Sequence, residues 1–218
     1  MNWLEAVDNY CERIDAAFWA EPLNAVSNLS FIVAALVLLR RWSAGRPGGT
    51  PALLLALNVL AIGFGSFLFH TFANRWSSLA DVIPISVFIH AFFLLALRRF
   101  MGLAWWQAAL AALALFIVSP FAARALASLA GSSAFYVPAL LAIFGVGLAS
   151  SRQHPHIARS LYATGAVFTV SILFRAADQP LCASLPAGTH LFWHMLNGLV
   201  LYRLVRLYMD VSAAPARR

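Results

Sequence analysis

The chain has 218 residues, of which 62% are apolar and only 11% charged, with a mean hydropathy of +0.79. A soluble domain devotes roughly a quarter of its residues to charge, so this composition excludes a water-soluble globular protein. The formal charge of +7 comes from fifteen arginines and no lysine. They fall in short clusters between apolar runs, which is a topology signal and excludes a nucleic-acid surface.

The first twenty residues set Glu5, Asp8, Glu12 and Asp15 against Arg13 alone. A secretory signal peptide needs a basic start and an apolar centre; neither is here, so the first apolar helix is expected to be retained. Crossing about 30 Å of hydrocarbon takes roughly twenty apolar residues in a helix. Seven stretches meet that length: 23–42, 51–72, 79–97, 104–124, 133–151, 157–175 and 189–208. The arginine pairs 40–41 and 98–99 close the first and third, and residues 151–156 divide the fifth from the sixth. Ser119-Pro120 interrupts the fourth and predicts a kink there.

Alternating the connections between two sides gives one side Arg40, Arg41, Arg46, Arg98, Arg99, Arg152, Arg159, Arg203, Arg206, Arg217 and Arg218. The other receives Arg13, Arg75, Arg124 and Arg175. The positive-inside bias makes the first side cytoplasmic. The expected fold is therefore an all-α integral membrane bundle of seven transmembrane helices, N-terminus outside and C-terminus cytoplasmic. Residues 1–22 form an acidic extracytoplasmic segment, 23–210 the transmembrane domain and 211–218 a cytoplasmic tail. In a bacterium the protein would be a multi-pass inner-membrane protein. Cys11 and Cys182 both fall outside, where an oxidising compartment permits a disulfide; two unrelated free thiols are the alternative.

Polar residues that a membrane helix should avoid gather at one level. Ser66 and His70 share a face near the outer end of the second span, and Asp81 opens the third. His190 and His194 sit four apart at the outer start of the seventh, with Asn197 one turn deeper. Ionisable groups in membrane helices are costly and usually pair, bind ions or react. Three imidazoles leave one position of a tetrahedral zinc for water, the arrangement of a catalytic site. A His-x-x-x-His pair by itself is more often a buried histidine bonded to a neighbour; the five residues together are the signal. His90 should face away from this group and bond another helix, and His154 and His156 should be solvated in an inner loop. An ion or proton transporter would carry its ionisable groups to the bilayer midplane, whereas these cluster at one end. A seven-helix receptor or lipid-binding protein with a structural zinc is the other reading; a poised Asp81 and Ser66 argue against it.

In order along the chain stand Tyr10-Cys11-Glu12, Glu21 with Asn24-Ala25-Val26-Ser27-Asn28 and Phe31, Ser66-x-x-x-His70 with Asp81, Arg175-Ala176-Ala177-Asp178 with Cys182, and Gly188-x-His190-x-x-x-His194 with Gly198 and Tyr202. Together they resemble the alkaline ceramidase family, within the seven-helix membrane hydrolases that include adiponectin-type receptors. The resemblance implies a zinc-dependent amidase acting on ceramide or a related N-acyl lipid. It implies zinc on His70, His190 and His194, Ser66 and Asp81 as the catalytic pair around its water, and a Cys11–Cys182 disulfide. It also implies a calcium site in the acidic segment, where Glu12, Asp15 and Glu21, with Asn9 or the Tyr10 carbonyl, would supply hard oxygen ligands; an ordinary acidic outer segment, its repulsion relieved by arginine partners, is the alternative. The family pattern has Asp-Trp before the cysteine and Asn three residues after it; this chain has Asn9-Tyr10 and Ile14, and a shorter span from Cys11 to Glu21.

Overall fold

A computed structural model describes residues 2–213, the side chain of Ser132 excepted; residues 214–218 of the expected tail, with Arg217 and Arg218, lie outside the described residues. The chain is helical throughout apart from its N-terminal segment and short connections. The helices are α1 (Pro22–Ser27), α2 (Leu29–Ser43), α3 (Gly49–Phe72), α4 (Arg75–Met101), α5 (Trp105–Ala130), α6 (Val137–Ser150), α7 (Pro155–Leu181) and α8 (His190–Ala213), with a 3-10 turn over Gly131–Tyr136.

Six stretches among the described residues are long and apolar enough to cross a membrane: Pro22–Ser43, Gly49–Phe72, Arg75–Met101, Trp105–Ala130, Ser133–Ser150 and Pro155–Leu181. They coincide with the first six expected spans, and the third, fourth and sixth run several residues longer. The seventh, α8, has 24 residues and is long enough. It carries His190, His194, Asn197, Arg203, Arg206 and Asp210, and this polar load keeps it outside that group. The first span breaks at Asn28, which ends α1, begins α2 and turns its side-chain amide back to the Asn24 carbonyl (2.8 Å). α5 continues through Pro120 to Ala130, with the Ser119 hydroxyl donating to the Leu115 carbonyl.

Between helices the contact is apolar and close. Phe31, Leu38, Val59, Ile62, Phe88, Leu161, Val205 and Met209 share one buried core, while Leu54, Phe64, Phe116, Leu141 and Leu173 point outward and more than half exposed. Outward leucine and phenylalanine suit lipid contact, and small residues at the seams let backbones approach. Gly65 is the tightest seam. A Cβ there would lie 2.0 Å from the Ala80 carbonyl oxygen, so α3 and α4 touch backbone to backbone beside Ser66 and Asp81. The turn before that seam is equally specified. Ala73 takes a left-handed conformation, and Asn74 and Ser77 cap α4 reciprocally: Ser77 N donates to Asn74 Oδ1 (3.1 Å) and Asn74 N to Ser77 Oγ (3.0 Å). Asp81 lies one turn beyond Ser77 on the same face.

Candidate metal centre

His70 on α3 and His190 and His194 on α8 come together at one end of the bundle. Each is 1% exposed, and each offers a ring nitrogen within 4.8 Å of those of the other two. Buried imidazoles this close would be expensive unless something joined them. Two of the three rings are fixed from outside by a hydrogen bond, those of His70 and His194. His70 Nδ1 donates to Glu21 Oε2 (2.6 Å), which leaves Nε2 buried without a protein partner. Ser27 Oγ donates to the Asn24 carbonyl (2.8 Å), so its lone pair receives His194 Nδ1–H (2.7 Å) and Nε2 of that ring stays an acceptor. The His190 ring stacks on Tyr10 with centroids 3.7 Å apart. A three-histidine set of this kind, each ring steered by a carboxylate, hydroxyl or aromatic neighbour, fits a transition metal such as zinc.

Asp81 and Ser66 stand beside the three rings, close enough to interact with each other across the Gly65 seam. Asp81 is 9% exposed, and its Oδ1 is buried without a hydrogen-bond partner. Ser66, Asp81, His194 and Asn197 line the head of a cavity whose walls are otherwise apolar, among them Phe88, Ile143, Val146, Val200 and Leu204. From His194 to Leu204 the cavity follows α8 for about 15 Å, at 1.5 Å per residue. A long hydrocarbon chain fits such a slot better than a polar solute does.

The profile of the family described as Ceramidase matches residues 4–215. The chain belongs to the ceramidase family. Among curated proteins no relative matches it. Membership supports lipid amide hydrolysis, and the buried histidine group is compatible with a metal cofactor in this ceramidase-family chain.

The N-terminal segment lies across the same end of the bundle. Val7 N donates to the Ala73 carbonyl (2.8 Å), Gln179 Nε2 to the Asn9 carbonyl (2.8 Å), and Cys11 is joined to Cys182. Asp178 knots this region. Its carboxylate accepts from Cys11 N (3.1 Å), Thr189 N (2.6 Å) and His190 N (2.9 Å), holding the disulfide against the start of α8.

The residues expected to hold calcium do not fit that ion as they stand. Glu12 turns both oxygens to backbone N–H groups, of Leu23 (2.6 Å) and Asn24 (2.8 Å). Asp15 Oδ1 accepts from Ala17 N (2.8 Å), Asn9 meets Gln179, and Tyr10 covers His190. Glu21 is divided between His70 and Arg13, its Oε1 lying 2.5 Å from Arg13 Nε. Burial pushes the Glu21 carboxyl up, but His70 and then Arg13 outweigh it and hold it below the usual carboxylate range. Burial likewise pushes Glu12 up, and there it prevails over the Asn24 and Leu23 bonds. Among the described residues, the three histidines are the one group of metal-ligating side chains that comes together.

Two steering residues are not legible as such in the sequence: Glu21 reads there as a calcium ligand, and Ser27 carries no role. The available signal is the polar face Asn24, Ser27 and Asn28 at the start of an otherwise apolar span, which lipid would not tolerate. His90 faces away from the centre as expected. It is a correction that its Nδ1 bonds the Ser86 carbonyl of its own helix (2.7 Å) rather than a neighbouring helix, because one turn back the carbonyl lies within reach. His154 and His156 are exposed.

Proposed function

We propose that this chain is a zinc-dependent hydrolase of ceramide or a related N-acyl lipid, cleaving the amide bond within the membrane. The observation that carries the reading is a buried three-imidazole group with Asp81 and Ser66 beside it, at the head of an apolar slot, in a member of the ceramidase family. Zinc on His70, His190 and His194 would supply Lewis acidity toward the amide carbonyl and acidify water to a pKa near ~7. Asp81 takes the proton from the attacking water and delivers it to the departing amine nitrogen. Ser66 donates its hydroxyl hydrogen to the carbonyl oxygen as negative charge grows there. The slot below His194 receives an acyl or long-base chain and keeps bulk water from the reacting carbonyl.

The test joins two measurements on purified protein. Metal analysis should find one zinc per chain, and a screen of N-acyl lipids should yield a free fatty acid and an amine. A protein that binds no metal, or holds zinc while cleaving no lipid amide, removes this reading.

In the same proposal the catalytic end faces away from the cytoplasm. Arg40, Arg41, Arg46, Arg98, Arg99 and Arg206 belong to the opposite end, which supports that orientation. A reporter active only in the cytoplasm should work when fused to the C-terminus; a silent C-terminal fusion with an active N-terminal one reverses the assignment.

A further inference from the structure

Arg13 has no part in the mechanism above, yet its side chain is 6% exposed and lies among oxygens. Its Nε meets Glu21 Oε1 (2.5 Å). Nη1 donates to the carbonyls of Asp15 (3.1 Å) and Ala17 (3.5 Å), and Nη2 to the carbonyl of His70 (3.2 Å). A carboxylate and three carbonyls around one positive centre is the kind of donor set that a hard cation takes. Here the guanidinium fills it.

We propose that Arg13 is the built-in cation of this chain, occupying the place a divalent ion would need and bracing the metal centre through Glu21 and His70. Arg13 grips Glu21, Glu21 grips His70 Nδ1, and the His70 carbonyl returns to Arg13. That closed circuit holds the residue by its ring and its backbone at once. Asn24 Nδ2 steadies the shared carboxylate from a further side, at 3.2 Å from Glu21 Oε2. Arg13 itself is anchored two residues after Cys11, which the disulfide and Asp178 fix in place.

The cationic guanidinium donates to all four of these oxygens at once, so the place is filled by the chain itself. A calcium ion entering the same oxygens would lie a few ångströms from that charge and be repelled. The nearby carboxylates offer no second place, since Glu12 is spent on two backbone N–H groups and Asp15 on its own turn. The same contacts offset repulsion among the carboxylates of the acidic segment. Arg13 is thus a positioning residue for His70, not a catalytic one.

This inference rests on the histidines as metal ligands, and its test separates the two. Purified full-length protein in detergent is melted with millimolar calcium, with magnesium and with a chelator. The melting temperature of the wild type is expected to be the same in all three; a calcium-specific rise overturns the proposal. In parallel, zinc affinity is measured by chelator competition, and the absorption of a cobalt-loaded sample is recorded. Arg13→Gln is expected to weaken binding by about 10–100-fold, the usual cost of losing a group that orients a metal ligand, and to alter the cobalt spectrum. Arg13→Lys, which keeps the charge on Glu21, should recover most of the affinity. Unchanged zinc affinity and spectrum in Arg13→Gln overturn the proposal even if that protein melts earlier. A wild type that takes up no metal defeats the reading under Proposed function instead, and the calcium series still decides on Arg13.

Discussion

Asp81→Asn is expected to keep its metal while losing about 10²–10⁴-fold in lipid amide hydrolysis, the range over which a positioned proton carrier contributes. The exchange preserves shape and polarity but removes the ability to take a proton. Metal should stay because Asp81 is outside the group of three ring nitrogens, and its buried Oδ1 has no partner to lose. The Gly65 seam and the Asn74–Ser77 cap hold α4 in register independently of the carboxylate, so the fold should survive. Single-turnover rates and metal content, read on the same preparation, decide the matter. Activity within a few fold of wild type takes Asp81 out of the chemistry. Loss of metal with activity would make it a support of the centre instead.

His194→Ala should behave in the opposite way, with metal and activity disappearing together. Removing one of three protein ligands costs more than the roughly 10–100-fold that follows from disturbing a ligand's neighbour. Chelator competition should therefore show affinity falling by more than about 100-fold. The damage is local. Ser27 keeps its own donation to Asn24, and Ser30 Oγ bonds the His194 carbonyl rather than its ring, at 2.9 Å, so the α2–α8 contact remains. Full zinc content in this variant would move the ligand assignment elsewhere.

These two variants probe parts of the site that differ in how far the sequence exposes them. His190 and His194 lie one helical turn apart, and His70 sits at the end of another apolar run on the same level, so alternation and helix period suffice to bring them together. Asp81 follows from the same reasoning. The spans are readable for an equally simple reason: twenty apolar residues have little else to do. Their ends are less readable, since polar and aromatic residues at the boundary stay helical once a neighbour packs on them, as along α5 to Ala130. α8 reads weakly as a span because the residues that build the site lower its hydropathy. The steering contacts are hidden more deeply. Glu21 reaches His70 across 49 residues and Ser27 reaches His194 across 167. No local period encodes such pairs. In the acidic segment composition counts carboxylates but not the N–H groups that Glu12 and Asp15 satisfy, nor the Arg13 folded in among them.

The bond between Cys11 and Cys182 has a meaning for how the molecule is made. Its two ends are 171 positions apart, so Cys11 cannot meet Cys182 until the six spans between them have left the ribosome. His190 and His194 follow only afterwards, in α8, and Tyr10 can settle on His190 only then. A chain stopped short of α8 holds one of the three histidines, and under the proposed function it can neither hold the metal nor attack a lipid. The segment around Cys11 and α8 thus complete the centre jointly, and the proposed chemistry needs both. In a membrane whose own lipids are the proposed substrate, that order of assembly keeps every copy still lacking α8 inert.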